Sequence, residues 1–102
     1  MNKKDIRKIR TAVKNFKGFN MGNPESCVIG IGLKLRGERV RHNDLSVPLI
    51  EKFAQLYRVP RQLVYDIYWC KAVSQMEGDT PQEKAVNLLT NLIEEGIPTR
   101  YL

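Results

Sequence analysis

Ile6, Ile9, Val13 and Phe16 recur at spacings of three and four, the period of one helix face, and predict an amphipathic helix over residues 3–17. After the turn-rich stretch GFNMGNPES, Asn23 suits an N-cap and Pro24 the first helical position, so a second helix is expected from Pro24 to Leu35, stopping at Gly37. Gly30 and Gly32 inside it cost up to ~1 kcal/mol each against alanine, which a helix tolerates when another backbone must approach closely. This marks it as the central, tightly packed helix. The short β-branched run CVIGIGL also suits a strand, but no second strand of similar quality offers a pair. Ser46, with Pro48 in the first turn, opens a helix to Tyr57 whose apolar face is Leu49, Ile50, Phe53, Leu56 and Tyr57. Arg58-Val59-Pro60 is a turn, with Pro60 at the first position of a helix that turns Leu63, Val64, Ile67 and Tyr68 inward and ends near Lys71. Together these make an αα-hairpin over about residues 47–71. The last helix, 81–95, is the most fully specified. Thr80 and Glu83 form a capping box around Pro81, Ala85, Leu88, Leu89, Leu92 and Ile93 make the core stripe, and Gly96 and Pro98 end it. The pattern predicts an all-α protein: one domain, 1–102, folded as a small orthogonal bundle of about five helices.

Composition narrows the function classes. At 102 residues the chain has room for one core and not for two. The longest apolar run, residues 27–33, is far short of the ~20 residues of a membrane span, and the basic start is not followed by the apolar stretch of a secretory signal. Two scattered cysteines, Cys27 and Cys70, read as reduced intracellular thiols, and with a single histidine they supply no zinc tetrad. No phosphate-cradling glycine loop or nucleophile elbow is present, so no cofactor and no small-molecule substrate is implied.

Charge changes the picture more. Residues 1–51 hold eleven Lys/Arg against five Asp/Glu, whereas residues 52–102 hold six of each, so the whole net charge of +6 resides in the first half. Such asymmetry favours an anionic partner there, either nucleic acid or an acidic protein face. Lys3, Arg7, Arg10, Lys14 and Lys17 repeat with the helical period beside the apolar stripe and form a cationic ridge. Lys34, Arg36, Arg39 and Arg41 follow on and after the next helix. The short loop between the helices allows both groups to join as one patch.

The hairpin suggests a second function. Phe53, Ala54, Tyr57, Val59, Val64 and Ile67 fall where a helix-turn-helix places its small and apolar residues, with Arg58 at the turn position that usually takes glycine. On that reading residues 50–69 form a DNA-binding regulator, and the second helix exposes Arg61, Gln62, Tyr65 and Asp66 to bases or phosphates. Cys27 at a helix start has a position that lowers a thiol pKa, with His42 the only histidine available as a base. A small buried residue is the better account of Cys27. Trp69 is expected at the rim of the core.

The order of these elements resembles a family of small bacteriophage and bacterial proteins. Its pattern is an aromatic-Asn-Met loop (here Phe19-Asn20-Met21), a Cys-x-x-Gly helix (Cys27 and Gly30), an αα-hairpin (49–68) and a T-P-x-x-A helix ending at glycine (Thr80 to Gly96). The resemblance implies an all-helical fold and a mobile-element setting, and no activity. The expectation is therefore a non-enzymatic helical binding protein in the cytoplasm of a bacterial host. Its basic N-terminal half would engage an anionic partner, such as a host protein–nucleic-acid complex, without a membrane.

Overall fold

The computed structural model describes all residues from Met1 to Leu102 and contains helices and no strand. The helices are α1 (Lys3–Asn15), α2 (Val28–Leu35), α3 (Ser46–Tyr57), α4 (Arg61–Tyr68), α5 (Lys71–Ser74) and α6 (Pro81–Glu95), followed by a single 3-10 turn at Thr99–Tyr101. The expected all-α bundle is present. It has six helices and not five: the hairpin's second helix ends at Tyr68, three residues before its expected end near Lys71, and the short α5 occupies a stretch for which no helix is expected. Cys70 there takes a left-handed backbone, φ 66°, and α5 starts in a new direction.

α2 lies at the centre. Every residue from Val28 to Leu33 is buried, and α1, α3 and α4 pack around it. Its glycines make this possible for two different reasons. Gly32 lies against the Phe53 ring of α3 and the Ile9 methyl of α1, while Gly30 lies against the backbone carbonyl of Pro24 in the preceding loop. That loop also overturns the expected start of α2. Asn23 accepts the Glu25 N–H at 3.0 Å, and the Ser26 N–H donates to the Asn23 carbonyl at 3.0 Å, so residues 23–26 form turns and not a first helical turn. The helix begins four residues late, with Cys27 in the N-cap position.

α1 and α6 run antiparallel and form the most extensive helix pair. α1 ends at Asn15, two residues before the expected boundary, and α6 supplies the reason. The Gln82 side-chain amide donates to the carbonyls of Val13 at 2.7 Å and Phe16 at 2.9 Å, adding to the Phe16 N–H that already reaches the Val13 carbonyl. At the start of α6 the capping box is formed, with the Glu83 N–H donating to Thr80 Oγ1 at 3.1 Å and the Asp79 N–H to Glu83 Oε2 at 2.8 Å.

The end of α2 is satisfied in the same way, from α3. The Tyr57 hydroxyl donates to the carbonyl of Gly32, and the Arg36 guanidinium stacks 4.7 Å over the Tyr57 ring. Burial pushes the Tyr57 hydroxyl above the ordinary tyrosine value, and nearby Arg36 offsets part of that. The folded protein therefore holds this proton at a pH where the unfolded chain has released it. The contribution is complete below pH about 10 and is lost as pH rises through the folded value. Tyr57→Phe should cost about 1–3 kcal/mol at neutral pH, because the Gly32 carbonyl is left without its partner. It should also soften the loss of stability above pH about 10. Urea midpoints for both proteins at neutral and alkaline pH test this, and equal midpoints at neutral pH would show that the hydroxyl contributes nothing at Gly32.

Candidate functional site

The solvent side of α1 is almost entirely cationic. With 100° between successive residues, Ile6, Ile9 and Val13 point into the core, and Lys3, Arg7, Arg10 and Lys14 follow one another along the flank that faces α6. Arg10 marks that flank by donating to Thr90 Oγ1 of α6 at 3.3 Å. Lys4 and Lys8 stand exposed on the outward face between the two flanks, and they widen the ridge beyond the cations that the helical repeat predicts. Their signal was available, since they are four residues apart and off the apolar stripe. Lys17 lies in the turn after α1, outside the helical ridge. The single acid of α1, Asp5, is neutralised by Arg36 at 2.8 Å, and none of the six cations of α1 is in an ion pair.

The second basic group divides. Lys34 donates through Nζ to the Glu25 carbonyl at 2.6 Å, and Arg36 is held by Asp5 and the Tyr57 ring, so both serve the fold. Arg36 reaches α1 on the flank opposite the one that faces α6. Arg39 and Arg41 are exposed in the connector before α3 and neither side chain is in an ion pair, although the Arg41 backbone N–H donates to the Asp44 carboxylate at 2.8 Å. The positive charge of this half outside ion pairs is thus mainly the solvent side of α1, across its outward face and the flank facing α6, with Lys17, Arg39 and Arg41 beyond it.

The α3–α4 hairpin has the backbone that its spacing predicts. Arg58 adopts the left-handed conformation, φ 52° and ψ 51°, at a cost on the order of 1 kcal/mol for a non-glycine residue. Val59, Val64 and Ile67 are buried, and α2 packs across both helices. Of the residues expected on the outer face of α4, Arg61, Gln62 and Tyr65 are exposed, with Arg61 held to Glu51 at 3.3 Å. Asp66 is not exposed. It is 7% accessible, accepts the Tyr101 hydroxyl at 2.6 Å and the Gln62 amide at 2.9 Å, and is covered by the C-terminal 3-10 turn. No local pattern around Asp66 announces a partner 35 residues away. Trp69 departs from its expected rim position, being 55% accessible with Tyr68 edge-on to its ring at 5.0 Å.

Cys27 is buried, and its thiol is directed at the Pro24 carbonyl, 3.7 Å away. The backbone N–H groups of Ile29 and Gly30 favour a thiolate, as its helix-start position predicts, but burial outweighs them and pushes the thiol up. His42 is exposed and turned to Glu25, with Nδ1 3.8 Å from its carboxylate. No three His, Cys, Asp or Glu side chains converge as metal ligands. No helix is long and apolar enough to cross a membrane. Compared with known proteins, the chain matches no family model, no curated protein and no solved structure.

Proposed function

We propose that this protein is a non-enzymatic binding module that holds a polyanion against the solvent side of α1, from its outward face to the flank that faces α6. The observation that carries this reading is the set of six α1 cations, Lys3, Lys4, Arg7, Lys8, Arg10 and Lys14, none of them in an ion pair. Lysines and arginines needed only for solubility are normally interspersed with acids. Here the one acid is already neutralised from α2's end of the chain. In keeping with the resemblance to small phage and bacterial proteins, we take the partner to be nucleic acid, or a protein–nucleic-acid complex, in a bacterial cytoplasm.

The test is an Arg7/Arg10/Lys14 triple alanine variant. It should bind DNA more weakly, with a log–log salt slope flatter by close to one unit for each phosphate no longer neutralised. Arg7 and Lys14 are exposed, and exposed charge substitutions usually stay within about ±0.5 kcal/mol. Half-buried Arg10 instead donates to Thr90, so an Arg7/Lys14 double variant with Arg10 kept is the stability-matched comparison. Unchanged affinity and slope would eliminate α1 as the binding face.

A second reading, a helix-turn-helix regulator, draws support from the left-handed turn at Arg58. Against it, Asp66 is covered and Arg61 is tied to Glu51. Enrichment of one sequence in binding-site selection, abolished by Gln62→Ala, would favour it over the α1 reading.

A further inference from the structure

Trp69 is the single tryptophan of the chain, and more than half of it is open to solvent. It does not stand alone. Tyr65, one helical turn earlier and 46% accessible, has its ring 6.3 Å away, and Tyr68 meets Trp69 edge-on. Large aromatic rings dominate the energetics of interfaces, so two exposed rings side by side form a surface without its partner. The loop that leaves the basic helix α1 at Lys17 comes up beside them. Its Met21, Gly22 and Pro24, with Tyr68, Trp69 and Cys70, line an open cleft of about 180 Å³. That is below the ~300 Å³ at which ordinary small-molecule pockets begin, and it suits one planar group.

The charges beyond the cleft decide its occupant. No charged residue lines it. Arg61, Tyr65 and Trp69 follow one another at intervals of four, so the rings continue a stripe that begins at a guanidinium. Arg58 precedes the stripe in the turn, and Lys17 opens the loop wall. Both are exposed, and neither is in an ion pair. Arg61 is paired with Glu51, but an exposed pair of this kind contributes little in water, and a phosphate can take the place of the carboxylate. The one acid of α4, Asp66, is sealed under Tyr101, and α5 has none. An apolar or proline-rich peptide would fill the cleft and leave these cations unmatched. A single-stranded nucleic acid matches both features, since each base offers an uncharged π-face and the phosphates lie outside the stack. In a duplex the base faces are covered by their neighbours.

We infer that the Trp69 cleft is a stacking site for a base of a single-stranded nucleic acid, with the Tyr65 ring beside it and the phosphates directed to Arg58 and Arg61. This rests on the α1 reading above for the class of partner, and it adds the form of that partner and a second point of contact. It differs from duplex reading by α4, which depends on Gln62.

Because Trp69 is the only tryptophan, its own emission reports on the cleft. The full chain is titrated with a short oligothymidylate, with the same strand annealed to oligoadenylate, with polyphosphate and with polyproline. Oligothymidylate should quench the emission at saturation, the duplex should quench it less, and polyphosphate should bind without quenching. Anisotropy of labelled oligothymidylate then reads the variants, and thermal melts confirm that they fold. Trp69→Ala should weaken binding by about tenfold, and Trp69→Phe, which keeps a ring, by less than about threefold. Both should hold polyphosphate as wild type does. Oligothymidylate bound without quenching, or bound as tightly by Trp69→Ala as by wild type, would overturn the stacking site; if the Arg7/Lys14 double variant is still impaired, the α1 reading stands. Full affinity and quenching in that double variant would instead overturn the α1 reading and leave the stacking site. Quenching by the duplex equal to that by the single strand would overturn the assignment to single strands, and quenching by polyproline alone would overturn the assignment to nucleic acid.

Discussion

Gly30→Ala is expected to be the most damaging single-methyl substitution in the protein, lowering stability by about 3 kcal/mol. A methyl group at this position would overlap the Pro24 carbonyl oxygen and crowd its carbon, and these are backbone atoms fixed by the turns over residues 20–26. Replacing glycine in a helix normally returns up to ~1 kcal/mol of conformational entropy, so the steric loss must exceed that gain. Gly32→Ala is the internal comparison. Its methyl would meet the edge of the Phe53 ring, 2.5 Å away, and a side chain can move where a backbone carbonyl cannot. Urea denaturation should therefore rank wild type above Gly32→Ala and Gly32→Ala above Gly30→Ala. A Gly30→Ala protein as stable as wild type would mean that the Pro24 loop does not lie on α2.

Leu89→Ala should lose ~2–5 kcal/mol, a fall on the order of 10 °C or more in melting temperature. Leu89 is 1% accessible, in the middle of the α6 core stripe, and α6 is braced at both ends by its capping box and by Gly96. The surrounding helix is thus poorly able to collapse into the space left behind. A melting temperature indistinguishable from wild type would show that this face of α6 is not core.

The parts of the fold legible in the sequence are those set by local chemistry. The capping box at Thr80 and Glu83, the stripe Ala85 to Ile93 and the apolar spacing of α1 involve partners three or four residues apart, within reach of a periodic reading. The centrality of α2 was legible from its two glycines, although the partner of Gly30 was not. Asn23-Pro24 misled because asparagine serves equally as a helix cap and as the acceptor of a turn, and the choice here is made by packing against Gly30. The cover over Asp66 was not legible, since it depends on Tyr101, 35 residues away, and nothing in the residue types around Cys70 signals its left-handed backbone. For the candidate site, the α1 ridge was read from its spacing. Which cations remain free was not, because Lys34 and Arg36 find their partners only in three dimensions.

The pairing of α1 with α6 also joins the two ends of the sequence into one closure of the fold. The hydrogen bonds between α1 and α6 join residues 69 to 80 positions apart, through Gln82 to Val13 and Arg10 to Thr90, whereas Arg36 reaches Asp5 of α1 across 31. α2, α3 and α4 pack on one another within a continuous stretch of chain, and their loops close at lower entropic cost. α1 also packs on α2, so the contacts among α1, α2, α3 and α4 are the shorter-range ones and the α1–α6 pairing is the longest-range closure of the fold. A chain in which α6 detaches would uncover one side of Ile6, Ile9 and Val13 while the positive charge on the opposite side of α1 repels a second copy.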